Sequence, residues 1–383
     1  MNTLTALIRL IPLIVAAILF AACQPVTLPT PEAEPESSAE GQTLEITFAS
    51  GDLTLPATLT LPAGPGPHPA LVTITGSGAD NRDNGAASMP DYRPFAQLAE
   101  SLQPAGIAVL RYEDRRMVAP EGIGAETTVE DLAADAAAAL TYLRSRDDID
   151  AGRIGVLGHS LGATVAASLT AAHPGEIAFV AALAGPALDG FETIRAAYAH
   201  LPDVLGLPPE QVAGMAEVEL RAIELALAEE WGALEEHFAA MMTEQLAGLP
   251  EERKPSAEQM AALIGQQARQ LVANYRTRQF KSEMTHDPAE AWAQVKVPVL
   301  ALYAEHETTI FAADHLPALQ TALAAAGNGD VSVEVVPGVN HLFLEAESGD
   351  PQQWPELDQA MPARVVERIA GWVQAQAAAT PQG

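Results

Sequence analysis

Short apolar runs rich in β-branched residues alternate with longer stretches of helical composition along most of this chain. Leu44–Phe48 and Leu53–Leu61 predict two strands, with strict alternation in Leu53-Thr54-Leu55 and Thr58-Leu59-Thr60-Leu61. Ser50-Gly51-Asp52 supplies a turn between them, so the pair reads as a hairpin. Ala70–Thr75 and Ile107–Tyr112 predict buried strands, with a helix over Tyr92–Gln103 between them. Thr128–Ser145 predicts a second helix, capped by Thr127 or Thr128. Ile154–Gly158 and Ile177–Ala184 predict two more strands.

The alternation then stops. From about Pro186 to Ala293 there is no convincing strand pattern. Ile223, Leu227, Trp231, Leu234, Phe238 and Met241 recur at three- and four-residue steps, which is a helical stripe, and a second helical stretch runs over about Ser256–Lys281. Alternation resumes with Val297–Tyr303, Ala312–Ala325, Val331–Val336 and a last helix near Ala363–Gln376. Strands alternating with helices predict an α/β class: a mostly parallel sheet with helices on both faces. The hairpin opens it, and a helical cap interrupts it. The expected division is a core of residues 42–185 and 294–383 with a cap of 186–293. Met215, Trp231, Phe238, Met241 and Met242 either line an acyl pocket under that cap or pack its helices together.

The amino terminus breaks the pattern differently. Residues 10–22 form an apolar run too short for an ordinary spanning helix, and Cys23 follows directly. Phe20-Ala21-Ala22-Cys23 resembles the lipobox of a bacterial lipoprotein signal over residues 1–23. The resemblance implies cleavage before Cys23, a lipid on that cysteine, and an extracytoplasmic protein anchored to a membrane. A plain secretory signal or an uncleaved anchor over Leu4–Ala22 are the other readings. Residues 24–41, rich in Pro and Glu, read as an extended tether.

Composition narrows the function. The chain has 383 residues, 48% of them hydrophobic, which is ample for a large core. Its 50 acidic and 20 basic residues give a formal net charge of -30, which argues against nucleic acid as a partner. A single cysteine excludes an internal disulfide. No H-E-x-x-H spacing is present, and the chemistry argued next requires neither metal nor organic cofactor.

That chemistry centres on Gly158-His159-Ser160-Leu161-Gly162, a G-x-S-x-G between a strand pattern and a helix pattern. Strand–turn–helix is the setting of a nucleophile elbow, so Ser160 is the candidate nucleophile. Acyl transfer also needs a base, an acid to orient it, and donors for the oxyanion. His341 follows the last predicted strand, in the loop Pro337–His341, and is the candidate base. The loop Ala304–Ile310 offers the acid: Glu307 first, Glu305 second, with Asp189 as a more distant alternative. Gly76-Ser77-Gly78 after an early strand offers the Ser77 N–H as one oxyanion donor, with Gly78 as a substitute, and Leu161 N–H is the second.

Together these segments resemble an α/β-hydrolase of the serine esterase and prolyl-oligopeptidase-like group. The likeness runs through Gly76–Gly78 with Asn81-Arg82-Asp83, Leu110–Arg115, the elbow, Asp287-Pro288-Ala289 with Val297–Leu302, and Asn340–Phe343, spanning about residues 42–376. Such relatives generally carry Asp where this chain has Glu307, and glycine where it has Arg116. Arg111, Asp114 and Arg115 are expected to pair and hold their loop together. The resemblance implies a serine hydrolase that cleaves carboxylic esters of small molecules through an acyl-enzyme, without a cofactor. A peptidase or thioesterase would use the same triad. A lipid-tethered binding protein with a dead site is the non-enzymatic alternative.

Overall fold

A computed structural model describes residues 41–118, 124–247 and 256–379. The signal with Cys23, and the tether up to residue 40, lie outside the described residues. Eight strands form one sheet: β1 (Gln42–Ser50), β2 (Leu53–Leu61), β3 (His68–Ile74), β4 (Ala108–Tyr112), β5 (Ile149–His159), β6 (Val180–Leu183), β7 (Val299–His306) and β8 (Val331–Asn340). Their order is β1-β2-β4-β3-β5-β6-β7-β8. The β1–β2 hairpin and the β2–β4 pair are antiparallel; every other pair is parallel.

The period-two alternation of each central strand divides the core. On one face, Val72, Leu110, Val156, Val180 and Ala301 pack against α2 (Val129–Arg144), α3 (Leu161–Ala172) and α9 (Ala312–Ala325). On the other, Leu71, Val109, Leu157, Ala181 and Leu302 pack against α1 (Pro94–Leu102) and α10 (Ala363–Ala378). Thr128 caps α2 in a capping box with Asp131, which stabilises two otherwise orphaned N–H groups.

Between β6 and β7 the chain forms α4 (Gly190–Ala197), α5 (Pro209–Leu227), α6 (Trp231–Ala247), α7 (Ala257–Tyr275) and α8 (Arg278–Thr285), besides shorter turns. These helices share an apolar cluster of their own, around Ile223, Leu234, Phe238, Met242, Val272 and Tyr275.

Several sequence expectations are corrected here. The Ile223–Met241 stripe spans two helices, because the chain breaks after Leu227 and Glu229 takes a positive φ of 58°. The stretch Ser256–Lys281 is likewise two helices; Thr277 accepts the Phe280 N–H at 3.1 Å and starts a new one. Asp114 pairs with Arg116 at 2.6 Å, while Arg111 pairs with Asp83 and Arg115 with Asp131 and Asp135. Pro337–Asn340 extends β8 instead of forming a loop, placing His341 directly at a strand end.

Candidate active site

The parallel strands deliver their carboxyl ends to one edge of the sheet, where ligand sites of open α/β folds form. Ser160 stands between β5 and α3 with φ 53° and ψ −123°, a conformation costly for a residue with a Cβ. Its N–H donates to Leu183 O at 2.8 Å and its carbonyl accepts from Ala163 N–H at 2.9 Å. The flanking glycines are needed for contact: a Cβ on Gly158 would lie 2.1 Å from Gly162 O, and one on Gly162 would lie 2.2 Å from Ile74 O. Strand and helix can therefore fold sharply about the serine only with hydrogen at both positions.

His341 follows β8 in a turn closed by Asn340, whose Oδ1 accepts the N–H groups of Leu342 and Leu344, each at 3.1 Å. Tyr92 donates its hydroxyl to Leu342 O at 2.9 Å and holds the same turn from α1's side. His341 Nδ1 lies 2.8 and 3.0 Å from the two oxygens of Glu307. A carboxylate only accepts, so Nδ1 carries the proton and Nε2 keeps its lone pair. Glu307 is 1% exposed. Its Oε2 also accepts from Thr308, Thr309 and Ile310 N–H at 3.2, 3.4 and 3.3 Å. The glutamate thus curls back onto its own loop, and the donors offset the cost of burying its charge. Burial alone would lower the pKa of His341; the adjacent Glu307 charge and hydrogen bond outweigh it and hold that pKa above the ordinary histidine value.

The other candidate acids go elsewhere. Glu305 accepts Gly338 N–H at 2.7 Å, across to β8. Asp189 caps α4, accepting Glu192 N–H at 2.8 Å. Neither reaches His341.

Ser160, Ser77, Leu161 and His341 line one cavity, roofed by Glu283 and Met284 of α8. No hydrogen bond joins Ser160 Oγ to His341 among the described residues; such bonds commonly tighten only once substrate is bound. The Ser77 and Leu161 N–H groups find no acceptor within the described structure. Leu161 opens α3, whose first-turn amides have no intrahelical partner and whose dipole favours an anion. Ser77 is aimed by Arg116. The guanidinium of Arg116 binds Gly76 O at 3.1 Å, and across a planar trans peptide the Ser77 N–H must point the opposite way. Met215, Trp231, Phe238, Met241 and Met242 belong to the apolar cluster of the helices and not to the cavity wall. A larger, more open cleft lies outside α8, between Glu130, Lys281 and Glu290; it contains neither Ser160 nor His341.

Two polar residues that sequence reasoning did not single out connect the three loops. Asn84 Oδ1 accepts Gly76 N–H at 2.8 Å, and Asn84 Nδ2 lies 3.1 Å from His159 Nδ1. His159 Nε2 lies 2.9 Å from His341 O. A carbonyl only accepts, so Nε2 donates and Nδ1 accepts from Asn84. Burial, then the neighbouring His341, pushes the His159 pKa down to about 3, against the opposing hydrogen bond to the His341 carbonyl. The ring is therefore neutral and its tautomer fixed. The sequence held one clue, since His159 stands inside the elbow motif; nothing pointed to Asn84. Asn84→Ala would leave the Gly76 N–H and His159 Nδ1 unpaired, at a cost of about 1–3 kcal/mol. Thermal melts should show that loss, and steady-state kinetics should show kcat falling more than KM rises.

The Alpha/beta hydrolase family profile matches residues 71–354, from β3 through the histidine loop. The chain belongs to the alpha/beta hydrolase family. This hydrolase is 37% identical over 119 residues to Esterase EstD of Thermotoga maritima, a match covering 30% of this chain and 28% of that esterase. The matched stretch is thus under a third of the relative's length. Among solved structures, the alpha/beta hydrolase GrgF from Penicillium sp. sh18 superposes with a TM-score of 0.52 at 16% identity, covering 88% of this chain and 100% of GrgF. DcsB, solved with a substrate analogue, gives 0.50 at 15% identity over 88% of this chain and 100% of its own. Identities this low speak for the fold alone.

Proposed function

We propose that this alpha/beta hydrolase is a serine esterase acting on carboxylic esters of small molecules through an acyl-enzyme. The observation that carries the reading is the buried Glu307–His341 pair, with His341 and Ser160 both lining one cavity. In this mechanism Ser160 Oγ attacks the ester carbonyl while His341 Nε2 takes its proton. Glu307 fixes the ring and stabilises the imidazolium. The Ser77 and Leu161 amides bind the oxyanion, each contributing about 3 kcal/mol to barrier lowering. His341 then protonates the departing alcohol. Water, deprotonated by the same nitrogen, attacks the acyl-enzyme and releases the acid and Ser160. The test is hydrolysis of short p-nitrophenyl esters by the purified chain: turnover well above that of Ser160→Ala supports the reading, and equal turnover refutes it.

Anchoring through Cys23 is part of the same proposal. Growth of an expressing bacterium with a labelled fatty acid should label the wild-type chain and leave Cys23→Ser unlabelled; equal labelling of both would remove the anchor.

A further inference from the structure

We infer that Glu283 forms a cation subsite in the substrate cavity, so that the preferred esters carry a protonated amine. The inference rests on the esterase reading above and names the substrate class for that same site.

Helix α8 brings Glu283 to the wall shared by Ser77, Ser160 and His341. Around it the wall is mostly neutral, including Leu161, Leu188, Ile194 and Met284, and Glu283 is its one carboxylate. Glu283 Oε1 accepts from Gln279 Nε2 at 2.9 Å. Its other oxygen has no hydrogen-bond donor among the described residues, although a carboxylate has lone pairs for about four. The nearby cation is Arg116, already bound by Asp114 through Nη2 at 2.6 Å and through Nε at 3.1 Å. Asp114 and Arg116 cancel, so an ionised Glu283 is the net negative charge of the trio, on the member that faces the cavity. Burial outweighs the opposing Gln279 and Arg116 and holds the Glu283 carboxyl above the ordinary glutamate range, so a cation brought beside it favours its ionised form. The ionised form of Glu283 has one protein donor, Gln279, among the described residues. A substrate ammonium supplies both charge and donors, in a partly enclosed site where such a bond is stronger than in water. The net charge of -30 also favours the approach of cationic over anionic esters.

The experiment compares two matched pairs in a pH-stat at pH 6.5: leucine methyl ester with methyl 4-methylpentanoate, and methyl 6-aminohexanoate with methyl hexanoate. One pair places the ammonium beside the carbonyl and the other five carbons away. Wild type should favour the ammonium member of at least one pair by about tenfold or more in kcat/KM, the size expected for a hydrogen bond to a charged group. Glu283→Gln, which can keep a bond to Gln279, should abolish that preference, bringing the ratio of kcat/KM between the ammonium and neutral members of each pair down by about tenfold or more. Neutral esters hydrolysed with no ammonium preference, or a preference that survives Glu283→Gln, would overturn the subsite and leave the esterase standing. Turnover of all four esters no faster than by Ser160→Ala would overturn the esterase reading, and the subsite with it.

Discussion

Ser160→Ala will lower kcat for a short p-nitrophenyl ester by about a millionfold, leaving the modest rate that binding and an oxyanion hole sustain. The size follows from the mechanism. Without Oγ there is no covalent intermediate, and His341 loses the proton it would take. The same substitution should leave the fold intact. Alanine retains the positive φ that the elbow imposes on Ser160, and the hydrogen bonds of its N–H to Leu183 and of its carbonyl to Ala163 are backbone bonds. Thermal melting near the wild-type temperature, together with lost turnover, separates chemistry from stability. Ser160→Gly should melt higher than wild type, since glycine relieves a strain that typically costs about 1–3 kcal/mol.

Glu307→Gln is the second large effect, about 10⁴-fold in kcat. An amide in that buried place can turn its NH₂ toward His341 Nδ1, which then holds the lone pair and leaves the proton on the nitrogen that should accept from Ser160. The pH profile distinguishes this from simple disorder. Burial depresses the His341 pKa and Glu307 overrides it, so the folded value lies above the ordinary one, near 6.5. The neutral base appears only as pH rises through that value, so the acidic limb of kcat/KM in wild type lies above about 6.5. With the carboxylate gone only burial remains, and the limb of the residual activity moves to lower pH. The linked stability has the matching sign: the raised His341 pKa stabilises the fold below the unfolded pKa, and this contribution is lost as pH rises through the folded value.

Much of the fold was legible because its signals are local. Val156 and Leu157 alternate between the two faces of one strand, and Gly158 and Gly162 allow a turn that other residues would block. What escaped depends on contacts distant in sequence. Glu305 and Glu307 are two residues apart, and position in the loop ranked Glu307 first without showing the contacts that separate them. The choice is made where β7 slips register against β8 between Ala304 and His306. Glu305 then faces Gly338, whereas Glu307, beyond the strand end, turns under His341. Arg116 read as a departure from the glycine of the resembled family; its role in aiming Ser77 needed the 3.1 Å contact with Gly76 O. Glu283 read as one acidic residue among 50 until α8 carried it over the cavity. The five apolar cap residues were ambiguous because helical spacing serves packing and pocket lining equally; the cluster around Phe238 and Met242 takes them.

Ser160, as proposed, is a nucleophile activated by His341. That role is tested most directly by treating the purified chain with a fluorophosphonate and mapping the adduct by peptide mass spectrometry. One adduct is expected, on Ser160, forming far more slowly in His341→Ala and absent from Ser160→Ala. A folded wild-type chain that takes no adduct, or an adduct of equal yield on another residue in Ser160→Ala, would contradict it.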